Sequence, residues 1–221
     1  MKPLIYAVVG LCSLPISAAT LDVRLLDGQG QPLGNAVVTL QDEALPVAAT
    51  KAVVDQRDKQ FLPRVLAVRT GTLVAFPNSD NIRHHVYSFS PAKRFELRLY
   101  QGTPSEPVLF DSPGLVVLGC NIHDWMLGYV YVTDDPWFGV SDDSGRVRLE
   151  VPVGTYQVSL WHPQLADMLP VAAGSLQIPS QGLTQSYPLQ LTGDAAQAFP
   201  RQPAPSAFGE AFRKAASDVQ Q

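Results

Sequence analysis

The amino-acid sequence predicts an all-β protein. Short runs of alternating apolar and polar residues recur between turn residues, which is the pattern of strands with one buried face. The 221 residues include 19 prolines and 16 glycines, and both residue types favour turns over long helices. Hydrophobic residues make up 46% of the chain, which supports a buried core and argues against general disorder.

The first 19 residues are typical of a cleavable secretory signal peptide. Lys2 precedes an apolar run over residues 4–14, and small residues stand at Ser17 and Ala19. The run is too short to span a membrane stably, so we expect no transmembrane segment. A cleavable signal peptide directs export, so we expect a periplasmic location. Lipidation at Cys12 is the alternative.

Removal of the signal peptide leaves Cys120 as the only cysteine. An exported chain with one cysteine forms no internal disulfide, and its thiol oxidises unless it is buried or bound. Cys120 is therefore the first indication of function.

The strands are expected in order along the chain. Residues 21–40 predict two strands around a turn at 28–32, and residues 61–78 predict two strands around a turn at 70–72. Further strands are predicted at 83–89, 95–100, 108–110, 114–119 and 128–133, and after 134–136 two more strands flank a turn at 152–154. From 193 to 221 we expect a flexible tail with one short helix near 206–217.

Composition and motifs exclude several function classes. The net charge is −4, from 16 basic and 20 acidic residues, which argues against nucleic acid as a partner. The sequence has no G-x-S-x-G or H-E-x-x-H motif and no phosphate-binding glycine loop, so a hydrolytic enzyme is not expected.

One cluster of residues carries recognisable chemistry. Cys120, His123 and Met126 have the spacing C-x2-H-x2-M, and two adjacent histidines, His84 and His85, lie upstream. One thiolate, two imidazoles and a weak axial thioether suit a copper ion that changes between Cu(I) and Cu(II). Zinc is the competing metal, but zinc sites seldom include methionine.

At these residues the sequence resembles the cupredoxin family of blue copper proteins. It is most similar to the amicyanin type and to plastocyanin- or azurin-like proteins labelled methylamine utilization protein. The resemblance covers about residues 50–133 and includes the pattern V-x-x-G-x-x-V-x-F-x-N from Val68 to Asn78. It implies a Greek-key β-sandwich over 45–133.

The resemblance also implies one type 1 copper ion held by His84, Cys120, His123 and Met126. The family has Asn after its first ligand histidine, where this chain has His85. Alternation places the two adjacent histidines on opposite faces of a strand without showing which face is inward. His85 therefore remains the alternative ligand.

The implied function is that of a periplasmic carrier of single electrons and not of an enzyme. A redox protein is expected to dock transiently near His123 and Trp125, at an edge ringed by Leu118 and Ile122. Trp125 alternatively caps the core. The competing functions are copper binding or delivery without redox turnover, and a non-catalytic β module that binds a saccharide or a protein.

Residues 20–44 and 134–192 resemble an Ig-like module of the carboxypeptidase-regulatory or transthyretin-like type. We expect this second β-sandwich to contain the copper domain as an insertion, and to contact a saccharide or a protein. The alternative is that residues 21–40 belong to the copper sandwich and 136–192 form an appendage. His162 is expected to be a surface or packing histidine.

Three polar residues near the motif are expected to have structural roles. Asn78 and Asp80 are predicted to make turn or inter-loop hydrogen bonds, and Asp124 is predicted to face solvent or to hold a loop.

Overall fold

The computed structural model describes residues 18–42, 50–104, 106–193, 199–200 and 203–204. Within these ranges the chain forms seventeen strands and a single 3-10 turn at Ala166–Met168, which confirms the all-β prediction. The described part contains no helix that is long and apolar enough to cross a membrane. Most of the predicted signal peptide and tail, and the predicted helix near 206–217, lie outside the described residues.

The strands, in chain order, are β1 (Ala18–Leu26), β2 (Val37–Gln41), β3 (Lys51–Val53), β4 (Asp55–Arg57), β5 (Gln60–Leu62), β6 (Val65–Arg69), β7 (Thr72–Ala75), β8 (His84–Ser90), β9 (Lys93–Tyr100), β10 (Val108–Phe110), β11 (Gly114–Cys120), β12 (Leu127–Thr133), β13 (Trp137–Val140), β14 (Arg146–Pro152), β15 (Gly154–Trp161), β16 (Val171–Ile178) and β17 (Leu183–Pro188).

Two sheets are built from the two ends of the described chain. Strand β1 lies between β14 and β17, and β2 lies between β13 and β15, with β16 at the far edge. Alternate residues of β1 point inward, so that Leu21, Val23 and Leu25 are fully buried. Together with Leu40 and Val158 they form part of one hydrophobic core.

Three further sheets use strands of residues 51–133. The largest has the order β6-β12-β11-β8-β9, a smaller one has the order β10-β7-β3, and β4 pairs with β5 as a hairpin. A second core fills the space between them, with Phe61, Phe76 and Phe110 as its largest side chains. Alternation along β11 places Val116 and Leu118 in this core.

The outer face of the five-stranded sheet packs against the first core. The rings of Tyr129 and Tyr131 each lie 5.6 Å from the ring of Trp161. Phe199 covers the same region, where its ring lies 5.9 Å from Tyr129 and 4.9 Å below the guanidinium carbon of Arg64. The two sets of sheets therefore share a continuous apolar contact.

The strands differ from the sequence pattern in three places. The predicted strand at the start of 61–78 is divided into β5 and β6 at Pro63, which has no N–H to donate to a sheet. The pattern did not assign β3, β4, β13, β16 or β17, which are short or rich in small and polar residues. Strand β1 begins at Ala18, two residues before the predicted mature terminus.

Candidate metal centre

The pairing of β8 with β11 brings His84 and Cys120 together. Cys120 lies opposite Val86 in this antiparallel pair, and opposed side chains project from the same face. His84 is two residues from Val86, so it shares that inward face. Its Nδ1 lies 3.7 Å from the Cys120 sulfur, and both residues are buried.

The loop after β11 supplies His123 and Met126. His123 Nδ1 lies 3.9 Å from the Cys120 sulfur, and its ring lies 5.0 Å from the ring of His84. The N–H of Met126 donates to the carbonyl of His123 at 2.9 Å, which closes a tight turn, and Met126 is only 2% exposed. The loop thus brings a second imidazole to the thiol and buries the methionine in the core that contains Cys120.

The spacing of the three donor atoms fits a single metal ion. The sulfur and the two nitrogens lie within 4.8 Å of one another. With metal–sulfur bonds of about 2.3 Å and metal–nitrogen bonds of about 2.0 Å, an angle of about 120° at the metal separates sulfur and nitrogen by about 3.7 Å. The distances of 3.7 and 3.9 Å in the structure therefore suit a trigonal site with one sulfur and two nitrogens.

His85 lies on the opposite face of β8. Its Nε2 pairs with Glu96 on β9 at 2.9 Å, and its side chain is directed away from the buried thiol. The backbone carbonyl of His85 accepts a hydrogen bond from the N–H of Asn121 at 3.1 Å. A main-chain contact therefore joins β8 to the loop after β11 at the position where the resemblance implied an asparagine side chain.

Asp80 holds the far side of the His84 ring. Because Nδ1 of His84 faces Cys120, Nε2 carries the hydrogen and donates to Asp80 Oδ2 at 2.7 Å. The carboxylate also accepts the backbone N–H groups of Asp58 at 2.7 Å and Lys59 at 3.0 Å. Burial acts to raise the pKa of Asp80, but these hydrogen bonds outweigh it and hold the pKa below its usual range.

The β4–β5 hairpin presents those two N–H groups. Its turn residues, Asp58 and Lys59, have φ angles of 54° and 56°, the left-handed conformation of a two-residue hairpin turn. Asn78 fixes the facing loop, since its Oδ1 accepts the N–H of Asp80 at 3.0 Å and its Nδ2 donates to the carbonyl of Ile82 at 2.8 Å. Asn78 and Asp80 thus make the predicted turn and inter-loop bonds.

A buried polar network supports the loop that contains Asn78 and Asp80. The Tyr100 hydroxyl donates to the carbonyl of Phe76 at 2.7 Å, and Gln56 donates to the carbonyl of Pro77 at 3.0 Å. Burial is the main reason that the pKa of Tyr100 is raised to about 12. Tyr100 therefore stays protonated and acts as a hydrogen-bond donor.

His123 lies where the centre approaches the surface, with 9% of its area exposed. Burial is the main reason that the pKa of His123 is lowered, and the charge of Lys59 acts in the same direction, so its imidazole is neutral at pH 7. A neutral imidazole is the form that binds a metal.

Trp125 and Ile122 flank His123 at this edge. The ring of Trp125 lies 5.2 Å from that of His123, and Ile122 is 50% exposed. Trp125 Nε1 is buried and has no hydrogen-bond partner among the described residues. Asp124 faces solvent.

The prediction that Leu118 belongs to this edge is wrong. Leu118 is fully buried, because the alternation of β11 that directs Cys120 inward also directs Leu118 into the core. His162 is also buried, at 1% exposure, which leaves the packing role and excludes the surface one.

Sequence reasoning found the side chains that meet at the centre but not the hairpin that supports them. Asp58 and Lys59 contribute through backbone N–H groups, and any residue except proline has one. Their only sequence signal is a polar pair between two short strand-like runs.

Parts of the chain are similar to solved copper-protein structures. A purple cupredoxin from Nitrosopumilus maritimus is 21% identical, with 37% of this chain and 99% of that chain covered and a TM-score of 0.34. A methionine-to-alanine mutant of amicyanin in the Cu(I) form is 22% identical, with 43% and 98% covered and a TM-score of 0.34.

A copper-containing nitrite reductase from Thermus scotoductus SA-01 is 24% identical, with 43% of this chain covered and a TM-score of 0.36. That similarity spans 25% of the reductase chain. No family model and no curated protein matches this sequence.

Proposed function

We propose that the protein binds one copper ion in a type 1 site and carries single electrons between redox proteins. His84, Cys120 and His123 would hold the ion, and Met126, which is buried in the same core as Cys120, would supply a weak thioether ligand. The observation that carries the proposal is the convergence of one thiol and two imidazoles in a buried position, with nitrogen–sulfur distances of 3.7 and 3.9 Å. This donor set favours copper over zinc.

When bound, copper supplies a centre that alternates between Cu(I) and Cu(II). The protein chain holds the ligand side chains in fixed positions. Asp80 fixes the orientation of the His84 ring, and the pairing of β11 with β8 and β12 fixes Cys120. Ligands held in this way keep their positions in both oxidation states, which supports rapid electron transfer.

The burial of the centre supports a carrier and not an enzyme. His84, Cys120 and Met126 are each at most 3% exposed, and a metal held by these residues and His123 would have no open position for a substrate. Of these four side chains, that of His123 is the most exposed, at 9%. We place the transient contact with a redox protein at the His123 edge, where Trp125 and Ile122 offer apolar surface.

We also propose a periplasmic location and a two-sandwich organisation. The location is supported by the signal-like residues 1–19. The organisation, with 45–133 inserted between 20–44 and 134–192, is supported by the pairing of β1 and β2 with strands of residues 137–188. The sandwich formed by residues 20–44 and 134–192 is the part that we expect to contact a further protein or a saccharide.

Loading of purified protein with Cu(II) tests the proposal. We expect one equivalent of copper to bind with an intense blue absorption, which requires copper–thiolate bonding. Cys120→Ser and His84→Gly should abolish this colour, whereas the matched variant His85→Gln should keep it. A colourless protein, or a blue colour that depends on His85 and not on His84, contradicts the proposal.

Redox cycling separates a carrier from a delivery protein. Alternate additions of ascorbate and ferricyanide in the presence of a copper chelator should bleach and restore the colour many times without loss of copper. Transfer of the metal to the chelator during the first cycles would instead favour delivery.

A further inference from the structure

The outer face of the five-stranded sheet has a covered half and an open half. On β11 and β12, the outward residues Val117, Tyr129 and Tyr131 pack against the first core. On β8, the next strand of the same sheet, the outward residues are Tyr87 and Phe89, and Phe89 is 75% exposed. The open half therefore continues an established apolar interface.

The open half carries a row of aromatic rings. The ring of Tyr87 lies 6.4 Å from that of His85 and 5.1 Å from that of Phe89. Beside this row lies a groove of about 600 Å³, lined also by Arg94, Phe95 and Asn121. Exposed Tyr, Phe and Arg side chains are enriched at the centres of protein interfaces.

The charge of the open half is opposite to that of the whole chain. Arg94 and Arg98 project from β9 into solvent, and Glu96 between them is paired with Arg98 at 3.1 Å and with His85 at 2.9 Å. Two arginines and one glutamate give this face a positive balance, whereas the chain carries a net charge of −4. Such a face attracts an acidic partner.

One side chain of the open half, that of Tyr87, covers the end of β11, the strand that ends in Cys120. Tyr87 is opposite Gly119, and a Cβ atom at Gly119 would come within 2.7 Å of the Tyr87 ring. Glycine thus allows the ring to lie against the backbone of the residue that precedes Cys120. A protein bound on this face is separated from the thiol by one ring and the β11 backbone.

We infer that the outer face of β8 and β9 is a docking surface for an acidic redox protein, separate from the edge at His123. The inference rests on the copper site proposed above. A second copy of this chain is a poorer occupant, because a two-fold contact through this face would bring its arginines together.

Stopped-flow kinetics with reduced cytochrome b5, an acidic haem protein, tests the inference. One electron passes from the ferrous haem to Cu(II), which yields ferric haem and Cu(I). We expect the second-order rate constant of the copper-loaded protein to fall as ionic strength rises. The double change Arg94→Glu and Arg98→Glu should lower this constant at least tenfold at low salt, and Phe89→Ser should lower it at all salt concentrations.

Two controls show whether an effect belongs to this face. Arg148→Glu removes an exposed arginine from β14, and it should leave the rate constant unchanged. Neutral hydroquinone should reduce all variants at one rate, which shows that their copper centres are equivalent.

Other outcomes overturn the inference. Blue variants with wild-type rates and salt dependence refute the docking surface alone, whereas a wild-type protein that never turns blue refutes the proposed function. A dimer that Phe89→Ser dissociates would assign the face to a second copy. Saturable binding of neutral cellohexaose at Tyr87 and Phe89 would assign it to a saccharide.

Discussion

The carboxylate of Asp80 lies 2.7 Å from Nε2 of His84, on the side of the ring that faces away from Cys120. The same carboxylate accepts two N–H groups from the turn of the β4–β5 hairpin. The hairpin therefore holds Asp80, and Asp80 holds the imidazole. Such a chain of contacts sets the orientation and basicity of a metal-binding histidine.

Asp80→Asn should weaken copper binding by about 10- to 100-fold while the protein stays folded. The amide removes the negative charge that supports the His84 N–H. Competition with a chelator of known affinity measures the change, and the spectrum should remain that of a copper thiolate. Asp111→Asn is the matched control, because Asp111 is an exposed carboxylate that pairs with Lys93. Equal copper affinity in Asp80→Asn and wild type would show that the bond has no such role.

Met126→Leu should keep the blue colour and raise the reduction potential. Leucine is similar in volume, so the core remains packed, but it has no sulfur to donate to Cu(II). Voltammetry of the copper-loaded variant measures the shift. Met168→Leu is the control, since Met168 is 40% exposed in the 3-10 turn. An unchanged potential in Met126→Leu would mean that Met126 is not a ligand.

Local spacing alone predicts that Cys120, His123 and Met126 lie close together. Cys120 ends a strand, and His123 and Met126 follow in one short turn, so their proximity needs no long-range information. The choice between His84 and His85 needed the structure. Both faces of β8 carry apolar residues, Val86 on one and Phe89 on the other, so alternation could not identify the buried face.

Contacts that depend on tertiary structure were less predictable. Asp80 was expected to bond loops, but its contact with His84 depends on the turn between residues 78 and 84. Strands β16 and β17 carry too few large apolar residues to show a pattern, and they are identified only by their pairing with β15 and β1.

Acidification should destabilise the metal-free protein through His162. Burial lowers the pKa of this residue to about 4, and its Nδ1 accepts the N–H of Gln164 at 3.2 Å. The unfolded histidine has a pKa of about 6.5, so between pH 6.5 and 4 only the unfolded state gains a proton. The free energy of unfolding should therefore fall by about 3 kcal/mol across this window and be unaffected by His162 above it.

Urea unfolding of wild type and His162→Gln at pH 7 and pH 4 isolates this contribution. The difference in stability between the two proteins should shrink by about 3 kcal/mol at the lower pH. His85→Gln is the control, because His85 lies outside the first core. A difference that does not change with pH would contradict a buried neutral His162.

Copper should stabilise the folded protein only when Cys120 is present. A ligand that binds the native state alone adds about 2.7 kcal/mol at a concentration of 100 times its Kd. Thermal unfolding with and without one equivalent of Cu(II) measures the gain. Wild type should show a raised Tm and Cys120→Ser should show almost none. An equal rise in both proteins would locate the stabilising metal elsewhere.

Anomalous diffraction at the copper absorption edge tests the central claim most directly, because it locates the metal without assumptions about ligands. Crystals of the copper-loaded protein should show one strong peak within bonding distance of the Cys120 sulfur and of Nδ1 of both His84 and His123. A peak at His85 and Glu96, a peak at His162, or no peak near the sulfur would contradict the account.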